Sequence, residues 1–449
     1  MLHIASWMYV NARVPAFERQ RRCQIPASRT CTRTIVMNRA AVNVLPPSQF
    51  NTWPAWLRRV LRRDSSGIEP QWEGSWLLAS GGGGTASLWV TYDEANKVSG
   101  RMVVKSMVMS HRDWWDPTLW SDGLNAVGYR DFAAPINHNH PQEAIITQRL
   151  TQNVGPPIAP QTKNPICQYL GYSAIDQQNR RWKLYLEFCP FGTLDGLHLE
   201  LFQTGRQTFP EPFVWYVAEQ ALLAAKIFEQ GDTAAGVPGW RPLVHRDIKP
   251  ANVLLGERDT TQFRHYPRLK FCDFGLVCET DENDIVSNPI EFNEVGTVGY
   301  RPPEQKLWYK KNGKMDFNRR LSQKTNVWAI GRLCWALKSG IRGFNAEEPD
   351  YNIINDRVPL TLGGGEPELR DFILACLAFD PAQRPTIDEA LALVRSPVTG
   401  RDNFLGMRTA PVAIHLSRDP NPDKLDPYPR DEHDPYRLKL ARGSLPPRR

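Results

Sequence analysis

The sequence predicts an α+β protein of two lobes, a small antiparallel sheet followed by a larger, mainly helical region. Three observations predict it. The runs Gly74–Ala79, Ala86–Asp93 and Ser99–Met107 are short, β-prone and separated by Gly and Asn, as strands of an antiparallel sheet are. Past residue 210 the apolar positions change to a helical repeat, over 212–230, 324–338, 366–378 and 386–394. Between these regions an apolar strand, Trp182–Phe188, breaks in Cys189-Pro190-Phe191-Gly192, a turn suited to a connector. Strands first and helices afterwards is the α+β order.

Taken from the N-terminus, residues 1–70 show no sustained periodicity beyond Trp56–Leu61 and read as a disordered extension. Residues 1–63 hold eleven Arg, no Lys and one acid, Glu18, a net +10. The rest of the chain, with 44 bases and 47 acids, is −3, so the overall +7 belongs to the arm. An Arg-rich, acid-poor arm fits a mitochondrial presequence, a nuclear signal or an anion-binding tail. It equally fits upstream sequence translated from a wrongly chosen start, with Met37 as one alternative.

After the three strand-like runs, residues 108–140 carry Trp114, Trp115, Trp120 and His138-Asn139-His140 and read as an insertion. Two histidines without further spaced ligands are loop residues here, not a metal site. Pro141–Leu150 reads as a helix, with Glu143, Ile146, Thr147 and Leu150 on one face at i, i+3, i+4 and i+7. The 212–230 helix turns Val214, Val217, Ala218, Ala221, Leu222, Ala225 and Phe228 inward. From Ser396 the chain becomes rich in Pro, Arg and Asp, the composition of a disordered tail.

Composition narrows the class. Hydrophobic residues make up 41% and aromatics 10%, enough for a sizeable core. No apolar run approaches the ~20 residues that span a bilayer, which argues against an integral membrane protein. The eight cysteines, at 23, 31, 167, 189, 272, 278, 334 and 376, form no C-x-x-C pair. With no convincing signal peptide, a reducing intracellular compartment, cytoplasm or nucleus, is the expectation.

The chemistry concentrates in two segments. Residues 245–252 read His-Arg-Asp-Ile-Lys-Pro-Ala-Asn, and Asp273-Phe274-Gly275 follows the apolar strand Leu269–Cys272. An acid, a cation and an amide share one loop, with a second acid close behind. Phosphoryl transfer needs charge neutralised, Mg²⁺ held and a hydroxyl aimed at phosphorus. Asp247 suits the hydroxyl, Lys249 the moving phosphoryl group, and Asn252 with Asp273 the metal.

These segments resemble those of the eukaryotic Ser/Thr protein kinases. The resemblance covers about residues 72–395, and its style looks like that of the divergent kinases of filamentous fungi. It implies a protein-kinase-like domain over 71–395, with an N-lobe at 71–186, a hinge at 187–192 and a C-lobe at 193–395. The extension 1–70 and tail 396–449 would flank it. It implies ATP and Mg²⁺ as cofactors, Ser/Thr protein substrates, and no specific nucleic acid. Gly81 and Gly84 match the second and third glycines of the G-x-G-x-x-G-x-V nucleotide loop, while Ala79 and Ala86 replace its first glycine and its valine. Lys105, 24 residues after Gly81, resembles the V-A-I-K lysine, with Glu143 its expected ion-pair partner. Glu187 and Cys189 would face the nucleotide from the hinge.

The segment Asp273–Glu304 ends Gly-Thr-Val-Gly-Tyr-Arg-Pro-Pro-Glu, similar to the family's G-T-x-x-Y-x-A-P-E. In the family this threonine, here Thr297, bonds the catalytic aspartate and lysine, and this glutamate, here Glu304, pairs with an arginine that Arg384 matches. Asn326 stands where the family usually has aspartate, so a weakened brace on the catalytic loop is expected. Arg246 implies pairing with a phosphorylated Thr280 or Ser287, or with the acids Glu279, Asp281, Glu282 and Asp284. Cys272 would either line the back of the nucleotide pocket, its thiol pKa lowered by Lys105, or serve as a small buried apolar residue. The rival readings are a pseudokinase scaffold and a small-molecule kinase of the aminoglycoside or choline type. The second lacks the Thr297–Glu304 segment and Arg384, both present here.

Overall fold

The computed structural model describes residues 72–81, 84–121, 136, 138–152, 164–203, 209–258, 263, 266–280, 295–305, 310–311, 314–315, 320–340, 367–396 and 442–445. The arm 1–70 lies outside them.

Five strands form one antiparallel sheet: β1 (Glu73–Gly81), β2 (Gly84–Tyr92), β3 (Val98–Val108), β4 (Tyr169–Tyr172) and β5 (Arg181–Leu186), in the order β1-β2-β3-β5-β4. The register sets Lys105 opposite Ala86 on one side and Leu184 on the other. Ala79 and Ala86 are directly paired across the β1–β2 hairpin, so the two departures from the glycine-loop pattern are one local feature. Gly84 has φ of 147°, and a Cβ there would lie 1.9 Å from the Ser106 carbonyl oxygen. Only glycine fits.

The first of the longer helices, α1 (Gln142–Gln152), connects sheet to helical region. Its Ala144 packs with Tyr169, Trp182 and Leu184, while Ile146 and Leu150 enter the main core. The chain before it forms a helical turn, His111–Trp114, and an aromatic knot. His138 stacks on Trp114 at 4.3 Å and meets Trp120 edge-on at 4.7 Å. A bridge between Trp120 and Pro141 then pins the start of α1. His138 Nε2 lies 2.9 Å from the Trp114 carbonyl oxygen, and His140 Nδ1 lies 3.1 Å from the Tyr172 hydroxyl. No metal-ligating cluster occurs among the described residues.

The helical region comprises α2 (Leu194–Gln203), α3 (Glu211–Gln230), α4 (Gln323–Ser339), α5 (Pro367–Cys376) and α6 (Ile387–Arg395). α3 starts after Pro210 and stops at Gly231, whose φ of 87° is the left-handed C-cap that glycine adopts without penalty. From Phe213 to Phe228 nearly every side chain is buried, so α3 is the axis of the core. Each fully buried large apolar residue there contributes about 1.5–3 kcal/mol relative to exposure. α4 and α6 each begin with a capping box, Ser322 with Thr325 and Thr386 with Glu389.

Three small ladders complete the frame among the described residues: β6 (Leu243–Val244) with β9 (Cys278–Glu279), β7 (Val253–Arg258) with β8 (Pro267–Phe271), and β10 (Lys310–Lys311) with β11 (Lys314–Met315). The helices at 142, 211, 323, 367 and 387 start within two residues of their sequence expectation. β6 and β9, two residues each, are too short for any periodicity to register. No described helix is long and apolar enough to cross a membrane. Within the stretch read as a disordered tail, Arg442–Ser444 forms a 3-10 turn lying on the sheet.

Candidate active site

Lys105 leaves β3 between two carboxylates. Its Nζ donates to Glu143 Oε1 on α1 at 2.7 Å and to Asp273 Oδ1 at 2.7 Å. The sequence separations are 38 and 168 residues. Burial alone would lower the Lys105 pKa, but Asp273 and Glu143 outweigh it and hold the ammonium well above the ordinary lysine range. Burial lifts the Glu143 carboxyl against the pull of Lys105. For Asp273, burial works upward too, yet Lys105 wins and keeps it ionised below the usual range. Asp273 itself has a left-handed φ of 65°, a sparsely populated conformation for a non-glycine residue.

Asp247 is held from three sides. Asn252 Nδ2 donates to its carbonyl oxygen and to its Oδ2, both at 2.9 Å. The Thr297 amide and hydroxyl donate to Oδ1 at 2.9 and 2.7 Å. Lys249 Nζ sits 2.9 Å from Oδ2 and donates to Thr297 Oγ1 at 2.5 Å. Asp247, Lys249 and Thr297 therefore form one network between the loop 245–252 and the segment ending at Glu304. Gly296, with φ of 91°, makes the approach possible: a Cβ would come within 2.3 Å of the Arg246 carbonyl oxygen. With both hydrogens of the Asn252 amide directed at Asp247, its Oδ1 is the atom left for a cation. One amide oxygen and one carboxylate, Asn252 and Asp273, suit Mg²⁺, which takes few protein ligands beside phosphate oxygens.

Other expected residues sit as follows. Gly81 and Gly84 end β1 and begin β2 at the hairpin tip, with Gly82 and Gly83 outside the described residues. Glu187 follows β5, and its carboxylate accepts from Lys270 Nζ at 2.9 Å and the Gln168 amide at 2.7 Å. Contact of Glu187 with a bound base would therefore fall to its backbone carbonyl. Cys189 is buried in the same connector. Glu304 and Arg384 form the expected pair, buried and bidentate.

Three expectations need revision. The Asn326 brace keeps its number of bonds: Oδ1 accepts from the His245 amide at 3.0 Å, and Nδ2 donates to the Leu243 carbonyl at 2.9 Å and to Gln323 Oε1 at 3.0 Å. Thr280 is a buried residue whose hydroxyl donates to the Leu321 carbonyl at 2.9 Å, which leaves it a poor acceptor for phosphate. Ser287, Asp281, Glu282 and Asp284 lie outside the described residues. Cys272 has its thiol pKa raised, by burial first and by Asp273 second, and the opposing pull of Lys105 does not compensate. Its Sγ–H donates to the Asn252 carbonyl at 3.4 Å.

Residues missed by the sequence reading also surround the site. Arg149 of α1 and, at 3.3 Å, Arg241 before β6 pair with Glu279 on β9, an acid that the sequence offered to Arg246. Arg149 in turn lies 4.9 Å over the Trp240 ring. Gln305 Nε2 donates to the Arg246 carbonyl at 2.9 Å. Nothing local marks these residues, since their partners lie tens of positions away or more.

A family model described as the protein kinase domain matches residues 172–394. Over those residues the chain matches the protein kinase family, and its curated relatives are Ser/Thr kinases at modest identity. It is similar to Serine/threonine-protein kinase ppk30 of Schizosaccharomyces pombe, 27% identical over 46% of this chain and 20% of that protein. It is 30% identical to the putative serine/threonine-protein kinase R436 of Acanthamoeba polyphaga mimivirus, over 33% of this chain and 47% of that one. The mouse serine/threonine-protein kinase Nek2 is 28% identical over 48% of this chain and 43% of its own. The chain thus spans less than half the length of these relatives. The family match begins at residue 172, after β1–β3 and α1, so it does not reach Lys105 and Glu143, which tertiary geometry alone brings to Asp273.

Proposed function

We propose that the chain is an active Ser/Thr protein kinase that transfers the γ-phosphoryl group of ATP to protein hydroxyls. The supporting observation is the Asp247–Asn252–Lys249–Thr297 network, which aims one carboxylate and one ammonium at the same point. Asp247 Oδ2 accepts a hydrogen bond from the acceptor hydroxyl and takes its proton as the hydroxyl oxygen bonds to the γ-phosphorus. The bond to the β–γ bridging oxygen breaks, and ADP leaves. Lys249 donates to the transferring oxygens, where charge develops. Lys105, oriented by Glu143, binds the non-transferred phosphates, and the amides near Gly81 and Gly84 cover them. Glu187 and Cys189 offer backbone groups to the base. Mg²⁺ held by Asn252 and Asp273 would neutralise phosphate charge.

The lobes, 71–186 and 193–395 about a hinge at 187–192, belong to the same reading, as does an intracellular site of action. The decisive experiment compares wild type with Asp247→Asn in single-turnover transfer to a peptide array. The expected result is transfer reduced by about 10²–10⁴-fold with nucleotide affinity retained. Unchanged transfer removes Asp247 from its role. A second reading, a scaffold that binds nucleotide or partners without transfer, is favoured by the Ala79–Ala86 pair in the hairpin. Absence of transfer from wild type, with nucleotide bound, selects it.

A further inference from the structure

The tail segment Arg442–Leu445 touches the sheet at four points. The Arg442 amide donates to the Asn96 carbonyl at 2.9 Å. The Arg442 guanidinium pairs with Glu73 at the start of β1 and lies 5.1 Å over the Tyr92 ring at the end of β2. Leu445 packs on the apolar cluster of Trp76, Leu88, Val90 and Val98. The Asn96 carbonyl is well presented, because Asp93 Oδ1 accepts from the amides of Ala95 and Lys97 at 3.0 and 2.9 Å and closes the β2–β3 turn.

The same cluster includes Leu78 and Phe188. Leu78 lies three residues before Gly81, and Phe188 lies between Glu187 and Cys189. The face that receives the tail is therefore continuous with both the glycine hairpin and the connector. We propose that Arg442–Leu445 is a cis-docking segment for this face, and that docking steadies the hairpin and connector for nucleotide. The coupling to nucleotide rests on the proposed function, while the docking does not.

The energetics favour a tethered partner over a free one. The Arg442–Glu73 pair is exposed, and such pairs contribute little. One leucine and one cation–π contact add modestly. A separate peptide with these contacts would bind weakly. Covalent attachment converts the encounter into an intramolecular one at an effective concentration on the order of millimolar.

The experiment is hydrogen–deuterium exchange on the full chain, wild type against Leu445→Asp and Arg442→Glu. The expected result is exchange about three- to tenfold faster in peptides covering 73–78, 92–98 and 187–189, with α4 unchanged as the control. Equal exchange in wild type and both variants overturns the docking. The second measurement is the Kd for a non-hydrolysable ATP analogue with Mg²⁺, expected to rise about threefold in both variants. Faster exchange with an unchanged Kd overturns the coupling. Exchange is read without turnover, so failure of the catalytic reading leaves the docking test intact.

Discussion

Arg384 and Glu304 meet as a bidentate pair, Nη1 to Oε1 at 2.6 Å and Nη2 to Oε2 at 2.8 Å, with both side chains sealed from solvent. The guanidinium spends its remaining hydrogens on the carbonyls of Ala378, Phe379 and Lys324, and Thr325 Oγ1 donates to Glu304 Oε1 at 2.9 Å. The pair thus ties the end of the segment 295–305 to α4 and to the turn before α6. Removing one partner strands a buried charge, and Arg384→Ala is expected to cost about 3–5 kcal/mol. Arg384→Lys should recover only part, because an ammonium cannot form the fork. Urea denaturation monitored by tryptophan fluorescence checks both. A loss under about 1 kcal/mol for Arg384→Ala means the site relaxes and the argument fails.

Asn326 is suited to its place because it donates as well as accepts. Asn326→Asp keeps the bond from the His245 amide but sets a carboxylate oxygen against the Leu243 carbonyl. The expected cost is about 1–3 kcal/mol near pH 7, the penalty of a buried polar group left without its partner. It should shrink on acidification as that carboxyl protonates. Equal or greater stability of the variant at pH 7 would show that the amide donors are dispensable.

His245 gives the site a sign for its pH dependence. Burial lowers its pKa below the ordinary value of about 6.5, so the folded protein holds it neutral. Its Nδ1 accepts from the Asp247 amide at 3.3 Å, and its Nε2 faces the Cys272 carbonyl at 3.3 Å, an arrangement for the Nε2–H tautomer. The unfolded chain binds a proton more readily than the folded one. Stability contributed by neutral His245 is therefore present above about pH 6.5 and declines as pH falls towards the folded pKa. The slope is at most about 1.4 kcal/mol per pH unit for one proton. His245→Phe, placed between Phe228 and Phe274, should flatten the loss between about pH 6.5 and 5. Parallel curves for the two proteins across that window would remove His245 as the cause.

Cys272 should behave as a slow thiol. Burial and Asp273 raise its pKa well above the usual value, so little thiolate exists near neutrality. Alkylation at pH 7.5 is expected to run at least about tenfold slower than for free cysteine, and slower still with a Mg²⁺-nucleotide bound. Peptide mass mapping gives both rates. Labelling as fast as free cysteine would place the thiolate, and hence the local field, differently.

What the sequence by itself determined is local or nearly so. The three sheet strands, α1 and α3–α6 announced themselves through side-chain periods of two and 3.6, which depend on neighbours a few positions away. Asp247, Lys249, Asn252 and Asp273 stood out because the chemistry needs them on one short loop and the turn after the next strand. Lys105 and Glu143 were legible as partners only through the resemblance, and the fold brought them to 2.7 Å. The rest was decided by packing. The hydroxyl of Thr280 reads as a modification site until Leu321, 41 positions away, covers it. A cysteine beside a lysine reads as activated until burial outweighs the cation. Asn326 reads as a weaker aspartate until Leu243, 83 positions away, supplies an acceptor. Arg442 meets Glu73 across 369 residues. Period and motif carry no information about such distances, because which polar group loses its water, and what replaces that water, is settled only when remote segments share one interior.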